Sequence, residues 1–143
     1  MSSYLTLHHY GFLTGNITAW LKENELLFGK PFKVFDTVHI SSQKVKITFV
    51  QQNENGILNE LIEPLEENDR LKKMIEKGIT VYHAGYIVDK NKFDDVLKSF
   101  EKKSIHALPV FNSEAFENRR CVFLLSNTMG MIELIEGDKS SEW

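Results

Sequence analysis

Two histidines and two glutamates recur in this chain at nearly matched spacing, each inside an apolar stretch. His9 stands in "LHHYGFL" and His83 in "VYHAGYIV", with a glycine two residues later in each, Gly11 and Gly85. The tetrapeptide ELIE also occurs twice, in "NELIEPL" with Glu60 and in "MIELIEGD" with Glu133. His9 lies 40 residues before Phe49 and His83 lies 40 before Phe123; the corresponding glutamates follow at 51 and 50. An ionised carboxylate in apolar surroundings is costly unless it is paired, protonated or bound to a metal. Taken singly, either histidine reads as a satisfied core or strand-edge residue and either glutamate as a paired one. The shared spacing joins them.

Two imidazoles and two carboxylates make a mixed nitrogen and oxygen set, suited to a divalent cation with positions left for water or substrate. The absence of thiolates argues against structural zinc, and Co, Mn, Ni, Zn and Mg are not distinguished. The expected ligands are His9, Glu60, His83 and Glu133. His8, adjacent to His9 and on the opposite face of the strand, is its rival, and the glycine shared with the second copy selects His9. His39 and His106 match no such pattern and read as surface or strand-edge residues. Glu63 and Glu136 precede Pro64 and Gly137 and are expected at strand ends, solvated by a turn.

The elements that must carry these residues also come in two series. Strand patterning covers 4–13, and Asn16 or Thr18 can cap a helix reaching about Phe28. Three strands follow the Gly29-Lys30-Pro31 break: "FKVFDTVHI", "KVKITFVQ" and "ILNELIE", the last two joined by the turn residues "NENG". Pro64 ends this half, and a short helix at about 67–77 stops at Gly78. The second half repeats the order, with a strand at 79–88, an amphipathic helix at 92–103, then "IHALPVF", "RCVFLLS" and "GMIELIE". The spacing predicts a single α+β domain of duplicated βαβββ modules, at about 4–66 and 79–137, joined by a linking helix at 67–78. One residue lost from the final hairpin accounts for the slip from 51 to 50. Around a pseudo-twofold axis the four ligands would converge in the cleft of a curved mixed sheet.

With 143 residues the chain is long enough for one proper core, and a net charge of −3 argues against a nucleic-acid surface. The single cysteine, Cys121, excludes a disulfide framework and reads as a buried strand residue. "MSSYLTLHHY" lacks the charged start and long apolar core of a signal peptide, and no run approaches membrane-spanning length. A cytoplasmic protein with no membrane or nucleic-acid partner is expected.

The duplicated module with its H…E…H…E order resembles the vicinal oxygen chelate superfamily of glyoxalases, bleomycin resistance proteins and ring-cleaving dioxygenases. Its epimerase branch, the methylmalonyl-CoA epimerases, is the nearest resemblance. "NELIEPLEENDRLKKMIEKG" is similar to that branch's metal strand, acidic loop and short helix, and the likeness extends over residues 7–137. It implies the same four metal ligands and proton abstraction beside a thioester or related carbonyl, with Glu133 and Glu60 as the proton-carrying residues. A metal-dependent epimerase or isomerase acting on a small molecule such as an acyl-CoA, and a homodimer, are what it leads one to expect. A glyoxalase-type lyase acting on a thiol adduct and a non-catalytic binding protein of the same fold are the alternatives. The sequence departs from the branch at "FENRRCVF" and at the short tip "SNTMG". Arg119 and Arg120 read equally as surface arginines at a strand start and as guanidinium forks for a substrate carboxylate or phosphate.

Overall fold

Asn16 opens the first helix. Its side chain accepts a hydrogen bond from the backbone N–H of Ala19 at 2.9 Å, and α1 runs Ile17–Phe28 to Gly29, whose φ of 85° closes it. The computed structural model describes residues 5–103 and 105–137, so Tyr4, where the first strand and first module were expected to begin, lies outside them. The chain divides into two compact units, one of residues His9–Tyr82, the other of residues up to His8 and from His83 on.

The first unit is a mixed sheet in the order β2 (Lys33–Val34), β4 (Val45–Gln51), β5 (Leu58–Pro64) and β1 (Leu5–Leu13), to which β1 contributes from His9 on. β3 (Val38–Ile40) also pairs with β4. β4 and β5 form the expected antiparallel hairpin, and β5 returns parallel to β1. Because side chains alternate along a strand, Val50, Leu61 and Phe12 share one face, and there α1 packs Ile17, Trp20 and Leu21. His9, Phe49 and Glu60 project from the other face. The unit also holds α2 (Asp69–Glu76), capped by the Asn68 side chain accepting from Leu71 N–H at 3.1 Å.

The second unit repeats the plan with β6 (Val81–Asp89, His83 onward), β10 (Gly130–Gly137), β9 (Arg119–Ser126) and β7 (His106–Ala107), with β8 (Phe111–Ser113) also on β9. Again the last strand lies parallel to the first, β10 on β6. The helix α3 (Phe93–Lys102) covers the face bearing Val88, Val122, Leu124, Ile132 and Leu134. Such side chains each contribute about 1.5–3 kcal/mol by leaving water. His83, Phe123 and Glu133 project from the opposite face.

Two strand expectations need correction. "FKVFDTVHI" is not one strand but β2 and β3, and "IHALPVF" is β7 followed by the start of β8. The register gives the reason. Three residues, 35–37, stand between the pairs Val34↔Val50 and Val38↔Ile47, opposite only two on β4. Three, 108–110, likewise stand opposite two on β9, between Ala107↔Leu124 and Phe111↔Cys121. Each is a one-residue bulge, stitched by an equivalent bond: Phe35 N–H to Phe49 C=O and Leu108 N–H to Phe123 C=O, both 2.9 Å. The duplication therefore extends to an irregularity. No helix among the described residues is long and apolar enough to cross a membrane.

Candidate metal centre

In the first unit, the parallel ladder sets Gly11 beside Glu60, and the antiparallel one sets Phe49 beside it on the other flank. All three lie on one face, where Gly11 contributes no side chain. His9, two residues before Gly11 and on that face, is fully buried. Its ring meets Phe49 edge-on with centroids 5.6 Å apart, and its Nε2 lies 3.6 Å from Glu60 Oε1.

The second unit reproduces this arrangement. Glu133 stands between Gly85 and Phe123. His83 meets Phe123 edge-on at 5.4 Å, and its Nε2 lies 3.4 Å from Glu133 Oε1. Phe49 and Phe123, equal distances after their histidines, thus orient the two rings alike, and the shorter final hairpin absorbs the slip in glutamate spacing as expected. Phe111, which sequence reasoning did not single out, stacks on Phe123 at 5.6 Å and extends the aromatic wall.

Both His–Glu separations exceed the ~2.7–3.2 Å of a hydrogen bond. Two ligand atoms each about 2.1 Å from one ion and about 90–109° apart would lie roughly 3.0–3.4 Å from each other. The pairs are near that spacing, both glutamates are 4% exposed, and the strand neighbours around them are apolar: Ile47, Leu58 and Ile62, then Cys121, Met131 and Ile135. Imidazole nitrogen with carboxylate oxygen in such surroundings fits a divalent metal.

The remaining candidates divide by face. His8 sets its ring edge-on against Phe116 at 5.7 Å and takes no part in the His9–Glu60 pair. His39 and His106 are exposed and Cys121 is buried, as expected. Arg119 shares the strand face of Phe123. Arg120 faces the opposite way, where Glu136 Oε2 at 2.6 Å and Asp94 Oδ1 at 3.0 Å engage its guanidinium. That hydrogen bond holds the Asp94 carboxyl below its usual range, and the two carboxylates raise the Arg120 guanidinium above its own.

Glu63 and Glu136 are not left to solvent. Glu63 accepts the Ile17 N–H at 2.8 Å and pairs with Lys46 at 3.0 Å. Lys46 and Arg120 are 74 residues apart, as are His9 and His83, a signal the sequence carried.

The sequence model of the Glyoxalase/Bleomycin resistance protein/Dioxygenase superfamily matches residues 8–123. A search of curated proteins finds no match. Among solved structures, a hypothetical protein from Bacillus halodurans C-125 is 21% identical with a TM-score of 0.77, over 99% of this chain and 100% of that one. Methylmalonyl-CoA epimerase from Mycobacterium tuberculosis is 17% identical at 0.73, over 95% and 91%. A variant of the Streptomyces coelicolor methylmalonyl-CoA epimerase, in complex with 2-nitronate-propionyl-CoA, is 19% identical at 0.76, over 99% of both chains. These likenesses show a shared α+β fold with a mixed sheet.

Proposed function

The chain belongs to the glyoxalase/bleomycin resistance protein/dioxygenase superfamily, and on that premise we propose that it is a metal-dependent epimerase or isomerase. Its reaction would move a proton on the carbon beside a thioester or related carbonyl, and an acyl-CoA is the substrate class assigned to it. The observation carrying this reading is the duplicated, buried pair of imidazole and carboxylate. His9 and Glu60 of the first unit and His83 and Glu133 of the second are the ligands of the centre proposed. A divalent metal held by them would polarise the substrate carbonyl and stabilise the enolate.

The residues supply the rest. His9 and His83, fixed by Phe49 and Phe123, act as ligands that do not move. Glu60 and Glu133, the buried carboxylates of the two pairs, carry the proton. One carboxylate removes the proton and the other returns it on the opposite face of the carbon. Arg119, on the strand face of Phe123, is assigned to a substrate carboxylate or phosphate, and Arg120 is not. The likeness to two structures named methylmalonyl-CoA epimerase, one with an acyl-CoA analogue bound, supports the thioester.

Metal-loaded protein incubated in deuterium oxide with 2-methyl-branched acyl-CoA esters should exchange the α-proton, followed by NMR. Bound metal with no exchange in any ester would refute the assignment. A glyoxalase-type lyase is the second reading, which the superfamily match also admits. It predicts turnover of hemithioacetals of glutathione or bacillithiol instead.

A further inference from the structure

We infer that Arg120 and Glu136 are positioning residues that set the direction of the Glu133 carboxylate; the inference rests on the metal reading above. Glu133 and Glu136 lie three apart on β10 and therefore project from opposite faces. Fixing Glu136 on one face fixes how the strand is rolled, and with it the aim of Glu133 on the other.

The fixing is extensive. Arg120 binds Glu136 side-on, with Nε 3.2 Å from Oε1 and Nη2 2.6 Å from Oε2. The far edge of the same guanidinium holds Asp94 through Nη1 at 3.0 Å and Nη2 at 3.3 Å. Its Cζ lies 4.7 Å from the ring centroid of Phe93, a fully buried side chain at the start of α3. One side chain thereby ties β9, β10 and α3 together immediately beyond the metal-binding carboxylate.

The first unit has the same device in simpler form. Glu63, three residues after Glu60, joins Lys46 of β4 to the first backbone N–H of α1. Both copies of ELIE thus contain one carboxylate for the metal and one that fastens the strand to its own helix. A lysine is a point charge, whereas the arginine fork grips two planar carboxylates at once. Arg120→Lys should therefore fail to restore what Arg120→Met removes.

The test is a cobalt(II) titration of the full chain, read by the visible absorption of the bound ion, with thermal melts of the metal-free proteins alongside. Wild type should bind one equivalent with a ligand-field band. Arg120→Met and Glu136→Gln should bind cobalt roughly 10–100-fold more weakly, with a displaced band at saturation, and Arg120→Lys should follow them. Lowered melting temperatures with affinity and saturated band unchanged would overturn the inference, leaving the metal reading in place. A wild type that binds no cobalt would overturn both.

Discussion

Glu60 and Glu133 are asked to be ligand and proton carrier together, and single substitutions separate the two roles. Glu133→Gln keeps the shape and one oxygen donor but loses the charge and the basic site. Exchange of the substrate α-proton should then fall by about 10²–10⁴-fold, while metal remains measurable by elemental analysis. His83→Ala deletes a proposed ligand outright, so metal content and exchange should drop together. Wild-type exchange in either variant would remove these residues from the mechanism. Gly11 and Gly85 make a quieter claim. Valine at either position stands beside a buried carboxylate on the same face, and metal content should decline while the circular dichroism spectrum is kept.

At the scale of elements, the cap of α2 is the clearest local dependence. Asn68 accepts from Leu71 N–H and donates to the carbonyls of Gln43 and Lys44, both at 3.1 Å, from a nearly buried position. Asn68→Ala should cost about 1–2 kcal/mol in urea unfolding. The Asp94 bridge adds a dependence on pH. Its carboxyl titrates below the ordinary 3.8, so its contribution is full above that value and is lost as pH falls through the lowered one. Asp94→Asn should make the stability profile less steep below about pH 4, and salt should shrink the difference because the pair is exposed. Helices and the main strands were legible because their apolar periods and caps are local: Asn16 at α1, and the Phe93, Val96, Leu97, Phe100 stripe on α3. The two bulges were not. A strand with one extra residue keeps its β-prone composition, and only the partner's register reveals the break; Pro109 was the one local cue. The second role of ELIE is not legible locally, because the sequence neighbours of Glu63 and Glu136 are Pro64 and Gly137. Their actual partners, Lys46 and Arg120, lie on the adjacent strand.

For the whole molecule, the repeat poses a question of stoichiometry that decides what kind of centre this is. Each unit carries a complete His–Glu pair of its own. Were each pair a separate weak site, the chain would take up two ions, and His9→Ala would leave the second unit's binding intact. If one ion requires all four ligands, uptake saturates at one equivalent, and His9→Ala and His83→Ala each abolish tight binding. Stability reports the same difference. A ligand at 100 times its Kd stabilises the folded state by about 2.7 kcal/mol, which for a chain of this size corresponds to a rise in Tm of roughly 5–10 °C. The proposed single centre predicts that chelation removes this whole increment from wild type, and that neither histidine variant shows it at all. A half-sized increment retained by each variant would instead mean two independent sites. The duplication would then have copied a metal site without fusing the copies into one.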